Sequence, residues 1–209
     1  MRLSLDRYRP VAEALALLAI TFPLAVALHL STLWFLLPFA LLTFTQRAYE
    51  AYGLTRPGSG GIRFHLVVVL SVFLPYAVGY GVLAHWIWGA TAHWRLPPAF
   101  LRAVVDQVLL IAFPEEFFFR GYFQTQLDRV WDKPYTLFGT RWGPGLVLTA
   151  AVFAACHVVH GGPARLIVFF PGLFYGWLQA RTSSVLTPTL YHAASNLLMQ
   201  VLLVSFFLR

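Results

Sequence analysis

Two adjacent carboxylates and an arginine stand in a run that is otherwise aromatic and aliphatic: Phe113-Pro114-Glu115-Glu116-Phe117-Phe118-Phe119-Arg120-Gly121. An ionisable group at bilayer depth is costly, so by default it marks function. On a helix, Glu116 and Arg120 lie four apart, share a face and can form an ion pair. That pairing leaves Glu115 as the carboxylate without a partner. A carboxylate withdrawn from water is a stronger base than one in water, which suits general-base work near neutral pH. The bland alternative is a buried ion pair that locks helix packing.

Two other apolar stretches carry polar groups. One is Phe153-Ala154-Ala155-Cys156-His157, with His160 shortly after it; the other is His192-Ala193-Ala194-Ser195-Asn196. His192 and Asn196 are four apart and share a helix face, and the small residues between them let helices approach closely. Both sets are costly to bury without partners. Together they suggest hydrolysis of an amide. A carboxylate and a histidine hold and deprotonate a water, while a second histidine and an asparagine donate to the developing oxyanion. A zinc version with Glu115, His157 and His192 as ligands ranks second, because the chain has no H-E-x-x-H helix. The lone cysteine, Cys156, excludes an internal disulfide and a cysteine-based zinc cluster. His29, His65, His85 and His93 fall near span ends and read as structural, and His160 as interfacial. Phe117 to Phe119 read as packing. Tyr122 and Gln124 are within sequence reach of the site as hydrogen-bonding side chains.

Apolar helices must position these groups. Of 209 residues, 59% are hydrophobic and 11% charged, against about 25% charged in a soluble domain. The expected fold is all-α: a polytopic membrane helical bundle of about seven transmembrane helices, forming one integral membrane domain over 1–209 with the motif-bearing core at about 99–208. Spans are expected at 11–30, 32–45 (short), 62–88, 99–130, 146–160, 164–180 and 185–208, with loops at 46–61, 95–98 and 132–145. The basic N-terminus leads into a retained first span. The net charge of +7 comes from arginines spaced singly between apolar runs, a pattern of span-flanking charges and not of a nucleic-acid stripe. With seven spans, ten Arg and Lys residues fall on the N-terminal side and four on the other. The expectation is therefore a cytoplasmic N-terminus in an inner or plasma membrane, provided the short second span crosses.

In order, spacing and placement, the three motifs resemble the CPBP intramembrane protease family (the CAAX-processing and bacteriocin-processing, or ABI, group). Glu115-Glu116 with Arg120 matches E-E-x-x-x-R. Phe153 with His157 matches F-x-x-x-H, and His192 with Asn196 matches H-x-x-x-N. The similarity covers roughly 109–198. It implies that Glu115 and His157 activate the water, that His192 and Asn196 stabilise the oxyanion, and that Glu116 and Arg120 support them. It implies no cofactor if the glutamic mechanism of Rce1-like members applies, and zinc if the older metal-dependent description does. Implied partners are the bilayer and a membrane-anchored or lipid-modified protein substrate. That substrate would carry a CAAX-type tail, or a sorting signal if the chain is like the myxosortases. Rival readings are a non-proteolytic scaffold or bacteriocin-immunity protein and, more remotely, a proton-coupled transporter, for which repeated halves are missing.

Overall fold

The computed structural model describes residues 2–58 and 61–207. Seven helical rods follow one another. They are α1 (Arg2–Leu28), α2 (Leu33–Phe44), α3 (Gly61–Trp88), α4 (100–128), α5 (Pro144–Gly161), α6 (Phe169–Thr182) and α7 (Leu186–Phe207). The expected rods are all present, with α1 starting nine residues earlier than expected and α6 five later. The protein is an all-α membrane helical protein, and three of its helices are long and apolar enough to cross a membrane: Asp6–Leu28, Gly61–Trp88 and Leu186–Phe207. Twelve residues in α2 rise only about 18 Å, short of the roughly 30 Å hydrocarbon core.

The turn between α1 and α2 closes as a Schellman-type cap. His29 takes a left-handed φ of 52°, and the Leu30 N–H donates to the Ala25 carbonyl at 3.1 Å. The polar stretch after α4, expected as a plain loop, carries a small antiparallel hairpin, β1 (Tyr135–Leu137) with β2 (Thr140–Trp142). Its two-residue turn, Phe138-Gly139, has positive φ at both positions, as a type I′ turn requires. Trp177 Nε1 and Arg181 Nη1 of α6 donate to the Leu137 and Phe138 carbonyls and dock it.

The motif helix α4 is the centre of the molecule. Phe117, Phe118, Phe119, Tyr122 and Phe123 are all buried, so apolar side chains cover every face of this helix, the mark of a core helix. Trp34 of α2 packs on Phe118 and Phe119 at 4.7 and 4.9 Å between ring centres, and Phe119 meets Phe153 of α5 edge-on at 5.0 Å. The expected packing role of the Phe run is what the structure shows. Gly121 is needed for a close approach: a Cβ there would sit 2.6 Å from the Tyr52 carbonyl oxygen. By contrast α3, with exposed Leu66, Leu70, Val78 and Leu83, lies at the edge and leans on α7 through the His65–Tyr191 hydrogen bond at 2.9 Å. Exposed Trp86 and Trp88 in its last turn and Trp94 just after it lie where an aromatic belt is expected.

Glu13 of α1 binds Arg47 in a two-pronged ion pair and also accepts from Tyr122 and Gln126 of α4. This network ties the first helix to the motif helix. Its Glu13 bond holds the Arg47 guanidinium, in the loop after α2, above its ordinary pKa.

Candidate active site

Two wide, π-type turns, 106–112 and 117–123, flank the single α-turn Phe113–Glu116. Such turns re-aim side chains and recur at functional sites. Here Glu116 points into the core and Glu115 to a cavity. Glu116 and Arg120 form the expected ion pair, with Nε to Oε2 at 3.2 Å and both side chains without exposed surface. The guanidinium is held as much by charge and ring faces as by hydrogen bonds. It lies 4.2 Å from the Phe153 ring centre and 5.5 Å from that of Tyr175, and Nη2 donates to the Gly172 carbonyl.

The ion pair does more than pin α4. Glu116 Oε1 accepts a hydrogen bond from His192 Nδ1 at 2.8 Å. A carboxylate paired with arginine is an acceptor only, which assigns the proton to Nδ1 and turns Nε2 toward Glu115, 4.0 Å from its Oε2. Tyr175 stacks on the imidazole at 5.0 Å and 14°. His157 is fixed in the same way, because its Nδ1 lies 2.8 Å from the Phe153 carbonyl. A carbonyl cannot donate, so the proton is on Nδ1 and Nε2 carries the lone pair when the ring is neutral. The phenylalanine of the F-x-x-x-H motif thus holds its histidine twice, through this carbonyl and through ring contact at 4.4 Å.

Glu115 and His157 line one cavity of about 240 Å³. Its walls come from Phe22 and Val26 of α1, Trp34 of α2, Phe119 of α4 and Arg165 of the 3-10 turn Pro163–Val168. Glu115 Oε2 is buried and accepts no hydrogen bond among the described residues. This partnerless carboxylate oxygen, facing His192 Nε2 beside a cavity, is the chemically unsatisfied point of the site. The structure therefore joins α4, α5 and α7 despite the different depths of their motifs along their helices.

Asn196 stands one turn beyond His192 on α7. Its Nδ2 donates to Gln107 Oε1 on α4 at 2.9 Å, which uses one of its two N–H bonds and leaves the other. Gln107 orients Asn196, Tyr175 backs His192, and Arg165 faces the cavity; the motif spacing singled out none of these three. Gln107 was legible only as a polar residue on an apolar helix. Among the described residues, Tyr122 and Gln124 serve packing networks: Tyr122 binds Glu13, and Gln124 binds the Gly176 carbonyl. No three His, Cys, Asp or Glu side chains converge into a metal-holding group among the described residues. As placed, Glu115, His157 and His192 form no such three-ligand group.

Neither a curated protein nor a solved structure matches the chain. One family model does: Type II CAAX prenyl endopeptidase Rce1-like, over residues 97–198. That segment begins just before α4, ends within α7, and contains all of the paired carboxylates, Arg120, both histidines and Asn196. With these residues inside the matched segment and joined in space, the motif-bearing part of the chain is similar to the Rce1-like CAAX-type endopeptidases.

Proposed function

We propose that the protein hydrolyses a peptide bond near the C-terminus of a membrane-associated protein, using a water held by Glu115 and His157 and no cofactor. The observation that carries this reading is the partnerless Glu115 Oε2 beside a cavity it shares with His157. A water there donates to the carboxylate and to the bare Nε2 of His157. Glu115 takes its proton as the hydroxide attacks the substrate carbonyl. The oxyanion forms opposite His192 and Asn196. His192 already gives its Nδ1–H to Glu116, so it donates to the oxyanion from Nε2 when both ring nitrogens carry a proton. Asn196 adds its second Nδ2–H. Glu115 then returns the proton to the leaving amine, the C–N bond breaks, and the products are a shortened protein and a released peptide. Glu116 and Arg120 hold His192 in place and touch no reacting atom.

A site set among apolar helices suits a substrate that arrives within the bilayer, anchored by a lipid or a terminal helix. If α2 crosses despite its 12 residues, the arginine count favours a cytoplasmic N-terminus in an inner or plasma membrane. The test is cleavage in proteoliposomes of membrane-anchored tails beside the same tails as soluble peptides. Faster cleavage of anchored tails supports the proposal, and cleavage of soluble peptides alone refutes the lateral route. The buried Glu116–Arg120 pair favours a second reading, in which the motifs persist for packing in a scaffold or immunity protein. That reading requires Glu115→Gln to leave function intact.

A further inference from the structure

The proposed hydrolysis accounts for every ionisable group lining the cavity except Arg165 and Cys156. Arg165 is exposed on the 3-10 turn after α5, and among the described residues its side chain makes no hydrogen bond or ion pair. Its stem lies directly over Gly161: a Cβ there would meet Nε at 2.5 Å and Cγ at 2.6 Å. The sharp Gly161-Gly162-Pro163 bend, with φ of 72° at Gly162, brings Arg165 into the lining of the cavity. The cavity is therefore polarised, with Glu115 and Arg165 as its acidic and basic side chains.

We propose that Arg165 binds the free C-terminal carboxylate of the substrate. A chain end entering the cavity carries a negative charge, which Glu115 repels and Arg165 attracts. The charge thus orients the tail with its end at Arg165 and an upstream carbonyl at Glu115. Planar guanidinium matches a carboxylate in two parallel hydrogen bonds, which a lysine cannot reproduce. Holding the end also fixes how many residues separate it from the bond that is cut. Short C-terminal fragments of constant length would be released. This inference rests on the peptidase reading and adds the feature of the substrate that is recognised.

The test uses the full chain in zwitterionic lipid and anchored tails that end in either a free carboxylate or a carboxamide. Wild type is expected to favour the acid about 10- to 100-fold in kcat/KM, the range of a lost charge-assisted contact. In Arg165→Ala the acid falls toward the amide and the ratio approaches one; Arg165→Lys keeps part of it. Adding one residue after the natural end slows cleavage or moves the cut by one bond. An Arg165→Ala variant that cuts both tails more slowly by the same factor, or neither more slowly, overturns the assignment while the peptidase reading stands. Binding of both tails to the Glu115→Gln protein, with and without Arg165→Ala, separates the two claims. An acid preference in binding that needs Arg165, with no cleavage by wild type, upholds the carboxylate site and refutes the peptidase. A lipid phosphate has the same chemistry as a carboxylate. If Arg165→Ala changes affinity for vesicles containing phosphatidylglycerol but not the acid-to-amide ratio, the guanidinium reads lipid and the proposal is wrong.

Discussion

Removing either partner of the Glu116–Arg120 pair should destabilise the protein far more than removing Glu115. Both side chains of the pair have no exposed surface and stand 3.2 Å apart. Taking away Arg120 as Arg120→Met leaves Glu116 charged in the core with only His192 Nδ1 as a partner, and it removes the Nη2 bond to the Gly172 carbonyl. A buried charge stripped of its counter-charge costs about 3–5 kcal/mol, and Glu116→Gln falls in the same range because it strands the guanidinium. The double variant removes both charges, so it should cost well under the sum, with a coupling of about 2 kcal/mol or more. Glu115→Gln behaves in the opposite way. Its Oε2 has no hydrogen-bond partner to lose among the described residues, so the change should stay within about 1 kcal/mol of wild type while activity disappears. The assay is reversible unfolding of the purified protein in mixed micelles, read by tryptophan fluorescence for all four variants. Single-variant costs that add, each below about 1 kcal/mol as for an exposed ion pair, would refute the account of a core anchored by this pair.

Three further outcomes follow from individual contacts. Gly121→Ala pushes a Cβ to 2.6 Å from the Tyr52 carbonyl, so unfolding should show a loss of about 1–3 kcal/mol, whereas an unchanged midpoint would mean that the 49–52 turn does not press on α4. Gln107→Leu frees Asn196 from its 2.9 Å tether and should lower kcat with little change in KM, about 10-fold if one oxyanion donor is loosened and not lost; a change confined to KM would place Gln107 in substrate binding. Glu13→Gln leaves Arg47 without its counter-charge and weakens the bonds from Tyr122 and Gln126, and should cost about 1–3 kcal/mol while sparing cleavage by the folded fraction.

All seven helices could be read from apolar runs because most are bounded by Gly, Pro or charged residues, and α1 and α2 are separated by the short polar turn around His29 and Ser31. The ion pair could be read from the four-residue spacing of Glu116 and Arg120. The hairpin could not, because its turn puts Phe138 at positive φ, where turn rules look for Asn or Asp. The Glu116–His192 bond was equally hidden: spacing within α4 and within α7 says nothing about how the two helices pair. Arg165 read as one more span-flanking charge until the bend at Gly161-Gly162 brought it to the cavity. Tyr175 is one aromatic among many, and only the packed structure distinguishes it. Such contacts are fixed by packing between helices, which periodicity along a single helix does not encode.

The most direct test of the central claim is cleavage of an anchored C-terminal tail by the protein in lipid, comparing wild type with Glu115→Gln, each with and without a strong chelator. Glu115 as the base predicts a loss of at least about 10²-fold in the variant, with its unfolding midpoint kept, and wild-type cleavage unchanged by the chelator. A folded Glu115→Gln protein that cuts as fast as wild type would contradict the claim, and wild-type cleavage abolished by the chelator would contradict the metal-free mechanism.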